Sequence, residues 1–259
     1  MVLWAALGVV LFIAIVIGLV FGLKMAKFFI KALILISTVI TIGLIIFGVL
    51  VFLDFREFSQ NDSRSAYYLS VGNESLLAGF SMNNSHNVIF MEDKEVSAKG
   101  SLYRQGNYSG ILGTEYKIFI VDFEFLSQTN LSVQLFEKSV DCGIILNCIK
   151  SDDAELKKCI YALAGSSNRE VLTTSTDSTG AERARSMLFA SVMSQLLLKK
   201  PYRVIEGINS GLIKVYPETP MFVAMKMVPA PLFRKFFSKD LKADIENLKV
   251  RVTKNETSG

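Results

Sequence analysis

The most constraining feature of the sequence is a pair of uncharged apolar runs at its N-terminus, Val2–Leu23 and Ala32–Leu53. A helix needs about 20 apolar residues to cross the hydrocarbon core of a bilayer, and both runs meet that length. The first run lacks the basic start and the small-residue cleavage site of a secretory signal peptide. We therefore predict a transmembrane hairpin over residues 1–53, with spans at about 2–23 and 32–53.

The short segment between the two runs, residues 24–31, carries three lysines and no acid: Lys24, Lys27 and Lys31. Basic loops of this length stay on the cytoplasmic side of a membrane. The topology signal predicts a multi-pass protein of the cell membrane, with two spans, both termini outside and an extracytoplasmic soluble domain. Ala14, Gly18 and Gly22 share one face of the first run, which suits either packing within the hairpin or docking of a partner helix.

Six of the asparagines begin an Asn-x-Ser/Thr triplet, the acceptor motif for N-linked glycans: Asn61, Asn73, Asn83, Asn107, Asn130 and Asn255. Such triplets matter only where a chain meets a glycosylation machinery, so their abundance favours an extracytoplasmic position. A loop composition rich in Asn and Ser is the alternative explanation.

The charge balance argues against a nucleic-acid partner. The net charge is +4, and the three lysines of residues 24–31 supply most of it. The remainder of the chain is nearly neutral, so the mild basicity is a signal of topology and not of nucleic-acid binding. After Leu53 we expect a polar linker over residues 54–65 and a soluble domain over residues 66–259.

The early part of this domain reads as strands. Alternating or β-branched runs predict strands at 67–71, 76–82, 88–91 and 116–126, with loop or short helix over 92–115. In the last of these strands Phe119, Val121, Phe123 and Phe125 form an apolar face.

The later part reads mainly as helices. Helices are predicted at 133–149, at about 152–163, at 181–199 behind a capping box, from Pro201 to about 211, from Pro220, from Pro231 and at 238–250. Short strands are expected at 170–176 and 212–216. The fold class is thus α+β, with a small, mainly antiparallel sheet and helices packed on one face.

Three cysteines are present, and an extracytoplasmic location allows one pair to be oxidised. Cys148 and Cys159 fall in adjacent helices, so they are the candidate disulfide, and Cys142 remains. Three small buried side chains are the alternative. Three cysteines without Cys-x-x-Cys spacing and a single histidine are weak evidence for a zinc site, so we expect no metal and no cofactor.

Catalytic signals are weak. Asp122 and Glu124 lie two apart in the predicted strand, and paired carboxylates can act as acid and base in glycoside cleavage. The solvated end of a strand explains the same pattern. His86, the one histidine, lies in a polar turn, and no nucleophile elbow accompanies it.

The most suggestive soluble stretch is rich in Met and Phe beside basic residues. Its candidate contact residues for a partner or the bilayer surface are Met221, Phe222, Met225, Phe233, Phe236 and Phe237. Deformable apolar side chains flanked by Lys and Arg suit an interface. Two short core helices are the alternative.

Together these features predict a membrane-anchored, non-enzymatic binding or scaffolding component at the outer face of the membrane. The expected partners are the lipid bilayer and either another membrane or envelope protein or a second copy of the chain. The alternative is an envelope hydrolase that uses the carboxylates of Asp122 and Glu124. A sensor is disfavoured, because little of the predicted chain lies inside.

Overall fold

A computed structural model of the chain describes residues 2–61, 64–82, 87–135, 138–164 and 178–229. Over these residues it forms seven strands, β1 Ser65–Val71, β2 Ser75–Met82, β3 Val88–Phe90, β4 Lys117–Asp122, β5 Ser132–Leu135, β6 Lys138–Asp141 and β7 Ile213–Tyr216. The helices are α1 Val2–Asn61, α2 Asp93–Arg104, α3 Tyr108–Leu112, α4 Phe123–Ser127, α5 Cys142–Lys150, α6 Asp153–Ala164, α7 Ser178–Lys199, α8 Pro201–Asn209 and α9 Pro220–Met227. Internal contacts divide the chain into two compact units, Met1–Leu53 and Asp54–Gly259.

Helix α1 is continuous over 60 residues, so the predicted hairpin is wrong. Residues 24–31 contain only Lys, Met, Ala, Phe and Ile, all compatible with a helix, and no Gly or Pro that would end one. Lys24, Lys27 and Lys31 are consequently helical residues and not loop residues. An unbroken helix also removes the basis for placing both termini on the same side of a membrane.

Within the described chain, Phe28–Asn61 is long enough to cross a membrane and contains an 18-residue stretch with a mean hydropathy of 2.8. This finding supports membrane association through one candidate span, in place of the two that were predicted. The helix also runs through residues 54–61, which the sequence analysis assigned to a linker.

The second unit is built on a five-stranded sheet with strand order β3-β2-β1-β4-β7. Strands β1 and β4 are parallel, and the other three pairings are antiparallel. A separate antiparallel hairpin joins β5 to β6. The mixed α+β class with a mainly antiparallel sheet agrees with the prediction.

Helices cover both faces of this sheet, which corrects the expectation of a single covered face. Successive strand residues point to opposite faces. Tyr68 therefore belongs to a core shared with Val96 and Tyr103 of α2, whereas Tyr67 stacks on Phe80 on the other side. The parallel β1–β4 pair requires a crossover, which α2 and α3 supply on one face, since they lie between β3 and β4 in the chain. Helix α7 covers the other face, where its Phe189 contacts Phe80.

An aromatic layer fills the second face. The ring of Tyr67 stacks between those of Phe80 and Phe119, with both centroid distances at 4.9 Å. Phe189 of α7 contacts Phe80 at 5.4 Å. Phe58, from the last turns of α1, meets Phe119 edge-on at 6.3 Å. The end of α1 is thus part of the core of the second unit.

Two elements differ from the predicted pattern. The strand predicted at 116–126 ends at Asp122, because the Asp122 carboxylate accepts the Glu124 N–H and caps α4. The helix predicted at 133–149 is a β5–β6 hairpin followed by α5, and the alternation of Val133 and Leu135 was the missed strand signal. In addition, α2 forms a twelve-residue helix in the segment where loop or short helix was expected. The elements predicted at 170–176, from Pro231 and at 238–250 lie outside the described residues.

Candidate functional site

The two carboxylates singled out from the sequence lie where β4 ends and α4 begins. The Asp122 Oδ1 atom accepts the N–H of Glu124 at 2.8 Å, so this side chain serves as a helix cap. Glu124 is exposed in the first turn of α4, and its Oε1 accepts from Gln128 Nε2 at 3.2 Å. The expectation that both carboxylates share one strand face is therefore wrong, and the geometry gives the hydrolase alternative no acid–base pair.

The cysteines lie where α5 meets α6. Cys148 and Cys159 are joined in a disulfide, with their Cα atoms 5.9 Å apart. Cys142 is a free, buried thiol. Burial, reinforced by the Asp141 carboxylate, raises the pKa of Cys142 to about 11. A thiol with a raised pKa is a poor nucleophile, so Cys142 is a packing residue.

The start of the Met- and Phe-rich segment is core and not surface. Met221 and Phe222 are buried in α9, and the Phe222 ring contacts those of Phe58 and Phe119 at 5.7 and 5.8 Å. In the described structure Met221 and Phe222 are thus buried residues of α9, and their contact role stays a prediction. Met225 is half-buried. The remaining candidates, Phe233, Phe236 and Phe237, lie outside the described residues.

Four of the six glycosylation triplets begin within the described chain. Asn73, Asn107 and Asn130 are exposed, and Asn61 is half-buried in the last turn of α1. Asn83 and Asn255 lie outside the described residues, as does His86. Among the residues that the structure describes, no group of three His, Cys, Asp or Glu side chains could hold a metal ion.

The structure reveals a buried polar site that the sequence analysis missed, centred on Lys117. This side chain has 0% exposure, although it is a lysine. Its Nζ donates to Thr219 Oγ1 at 3.3 Å and to the Pro217 carbonyl at 3.4 Å. The ammonium also lies 4.8 and 5.2 Å from the ring centroids of Tyr116 and Phe222, within the range of a cation–π contact.

The negative partner is Asp54, the first charged residue after the apolar run of α1. Asp54 is 7% exposed, and its Oδ2 accepts the N–H of Met221 at 2.8 Å. Met221 lies in the first turn of α9, where the backbone N–H groups lack helical acceptors and the helix dipole favours an anion. One carboxylate thus caps α9 and supplies negative charge near Lys117.

Burial dominates the electrostatics of this site. It lowers the pKa of Lys117, and the carboxylates of Asp54 and Glu57 act in the opposite direction without cancelling the effect. Ser65 faces Lys117 in the parallel β1–β4 register. Ser65 is fully buried, and its Oγ has no hydrogen-bond partner among the described residues. A charge held here is costly unless its partners stay in place.

We define the junction site as Asp54, Phe58, Lys117, Thr219 and Phe222. Its members come from α1, β4, the segment before α9, and α9 itself. Because Asp54 and Lys117 are both buried, the junction site offers no surface at which a substrate could reach them. What it can do is fasten the last turns of α1 to the domain through a cap, a charge interaction and an aromatic contact.

A sequence signal for part of the junction site was present. Every second side chain of a strand lies on the same face. Lys117 lies two residues before Phe119, so the pattern places Lys117 on the apolar face of β4. Asp54 carried no such signal, since a carboxylate directly after an apolar run is the ordinary sign of where a membrane span ends.

A second charged cluster surrounds Arg185 of α7, which is 13% exposed. Its guanidinium contacts Asp93 at 2.6 Å and Asp153 at 2.8 Å, and it donates to the carbonyls of Ile149 and Ser151. Desolvation raises the pKa of Asp93, and the charge of Arg185 opposes that rise. The contacts of Arg185 join α2, α5, α6 and α7, whereas the Asp93 Oδ1 atom is buried without a hydrogen-bond partner among the described residues. These contacts make the cluster structural.

Comparison of the chain with protein-family models, with curated proteins and with solved structures gives no match in any of the three.

Proposed function

We propose that this chain is a membrane-anchored binding or scaffolding protein without catalytic activity, whose domain lies on the extracytoplasmic side. Its partner is another membrane or envelope protein or a second copy of itself. The observation that carries the proposal is the junction site, which builds the end of the apolar helix into the core of the domain.

The anchoring part of the proposal rests on α1. The 22 uncharged residues from Ala32 to Leu53 span about 33 Å at 1.5 Å per helical residue, enough for a hydrocarbon core of about 30 Å. Lys24, Lys27 and Lys31 precede this stretch, and Asp54 follows it. Lysines favour the cytoplasmic end of a span, so the domain after Asp54 is assigned to the opposite side.

The disulfide supports the same assignment. Disulfides persist in oxidising compartments outside the cytosol and are rare within it. Cys148 and Cys159 are placed for one by the packing of α5 against α6. The proposed side of the membrane thus agrees with the chemistry of these two residues.

The scaffolding part rests on how the domain is attached. Helix α1 continues to Asn61, Asp54 is buried, and the half-buried Phe58 contacts the ring of Phe222. An ordered segment after the apolar run, in place of a flexible linker, lowers the entropy lost when a partner binds.

The surface best suited to a partner is the outer strand of the sheet. Strand β3 pairs with β2 and is the last strand on its side of the sheet in the described chain. Its Val88 and Ile89 are 42% and 51% exposed. Outer strands with apolar side chains accept an added strand from another chain.

The test is site-specific photocrosslinking in intact membranes. A photoreactive amino acid at Ile89 of the full chain is expected to give a defined adduct, either with one membrane protein or with a second copy. The matched control is the same amino acid at Lys158, an exposed position on α6, which is expected to give none. Equal labelling from both positions, or no defined adduct from Ile89, would contradict the proposal.

A further inference from the structure

The asparagines of the acceptor triplets differ in which atom of the side-chain amide, Oδ1 or Nδ2, makes hydrogen bonds within the domain. An N-linked glycan attaches to Nδ2 of asparagine and leaves Oδ1 in place. A folded domain can therefore carry a glycan where Oδ1 makes the contacts and Nδ2 faces solvent. This criterion separates the described asparagines into two groups.

Asn73 satisfies the criterion. It is exposed in the turn between β1 and β2. Its Oδ1 accepts from Lys214 Nζ at 2.7 Å and from the Tyr103 hydroxyl at 3.5 Å. Both hydrogen bonds survive substitution at Nδ2, so a glycan at Asn73 leaves these contacts intact.

Asn107 satisfies it in the same way. It is exposed between α2 and α3, and its Oδ1 accepts the N–H of Gly110 and the hydroxyl of Ser109, both at 3.0 Å. Ser109 is the hydroxyl residue of this triplet, so the structure already brings the two side chains of the acceptor motif together.

Asn130 lies exposed in the segment between α4 and β5. Its described contact uses the backbone carbonyl, which accepts from Lys200 Nζ. Ser132, the hydroxyl residue of the triplet, is also exposed. The side chain of Asn130 is thus available to a modifying enzyme and to solvent.

Asn61 fails the criterion. It is a helical residue of α1, and its Nδ2 donates to the Glu57 carbonyl at 3.0 Å. It also follows Leu53 by eight residues, about 12 Å of helical rise. The atom that would carry the sugar is engaged, and the site lies close to the end of the apolar run.

We propose that Asn73, Asn107 and Asn130 carry N-linked glycans and that Asn61 does not, an inference that rests on the proposed extracytoplasmic position of the domain. In each modification a bond forms between Nδ2 and the anomeric carbon of a lipid-linked oligosaccharide. The phosphate-bearing lipid carrier leaves, and the amide nitrogen gives up one proton. No oxidation or reduction takes place.

The experiment expresses the full chain, with Asn83→Gln and Asn255→Gln, in a host that makes N-linked glycans. An efficient acceptor triplet is fused after Gly259 to report which side of the membrane the domain occupies. Three mobility steps beyond that of the reporter are expected on a gel, and an endoglycosidase removes them all. Asn73→Gln, Asn107→Gln and Asn130→Gln should each remove one step.

The matched control is Asn61→Gln, which should leave the mobility unchanged. Ser109→Ala gives a second way to abolish one site while keeping its asparagine. If the reporter is modified but any of Asn73, Asn107 and Asn130 is not, or if Asn61 is, the glycan assignment is overturned while the position of the domain stands. An unmodified reporter overturns the proposed position, and the glycan assignment with it.

Discussion

Removal of the Asp54 carboxylate should loosen the junction site and destabilise the domain. Asp54→Ala deletes the cap on the Met221 N–H, which costs about 0.5–2 kcal/mol of free energy of unfolding. It also deprives the buried Lys117 ammonium of the negative charge that Asp54 supplies, and leaving a buried polar group less well compensated costs roughly 1–3 kcal/mol. Lys117 keeps its contacts with Thr219 and Pro217. We therefore expect a total loss of about 2–4 kcal/mol.

Partner variants divide this loss into its two causes. Asp54→Asn retains an oxygen that can accept from Met221 and removes only the charge, so a smaller loss of about 1–2 kcal/mol is expected. Lys117→Met removes the buried charge and keeps the volume, a change that is often neutral or stabilising. In the Lys117→Met background, Asp54→Ala should cost at least about 1 kcal/mol less than it does alone.

The free energy of unfolding is measured by pulse proteolysis of the full chain in mild detergent across a urea series. Glu74→Ala, which removes an exposed carboxylate from the β1–β2 turn, serves as the control and should shift stability by less than about 0.5 kcal/mol. If the effects of Asp54→Ala and Lys117→Met simply add, the two side chains do not interact and the junction argument is refuted.

Three further outcomes follow from other parts of the domain. Cys159→Ser, or reduction of the disulfide, should lower the free energy of unfolding by roughly 3 kcal/mol, the loop-closure estimate for a separation of 11 residues. Equal melting temperatures with and without reductant would show that Cys148 and Cys159 are not joined. Arg185→Ala should cost about 2–4 kcal/mol by leaving Asp93 without its cation, and hydrogen exchange should then rise in α6; unchanged exchange would contradict this role. Because the pKa of Lys117 is lowered in the folded chain, the unfolded chain binds one more proton between that lowered value and 10.5, and the free energy of unfolding should fall as the pH drops through this range. Thermal melting between pH 8 and 10.5 should show a difference in melting temperature between the wild-type chain and Lys117→Met that shrinks as the pH rises. A difference that does not change with pH would contradict the lowered pKa.

The sequence predicted those features that depend on local periodicity. Strands β1 and β2 and helix α7 lie close to their predicted positions, because apolar spacing over 7 to 22 residues reports directly which face is buried. The α+β class follows from these elements. Local reasoning also paired Cys148 with Cys159, since a turn between adjacent helices brings such residues near each other.

The errors arose where two interpretations of the same residues competed. A basic segment between apolar runs is typical of a hairpin turn, but residues 24–31 hold no helix breaker, and the helix continues through them. Phe123 and Phe125 continued the alternation of β4 until the Asp122 cap ended the strand. In both cases the termination signal mattered more than the periodicity.

The junction site depends on contacts that no local pattern contains. Asp54 is joined to Met221 across 167 residues, and Lys117 is joined to Thr219 across 102. Sequence patterns report burial and turn chemistry over one or two elements. When the partner of a buried charge lies in a distant element, it can be identified only from the three-dimensional structure.

That same long separation has a consequence for biosynthesis. Chains grow at about 5–20 residues per second, so the 167 residues between Asp54 and Met221 take roughly 10–30 s to synthesise. Throughout that interval Asp54 lacks the α9 amide that it caps, and the rings of Phe58 and Phe119 lack their Phe222 neighbour. The rings of Phe58 and Phe119 therefore stay uncovered on the Phe222 side until α9 has been synthesised.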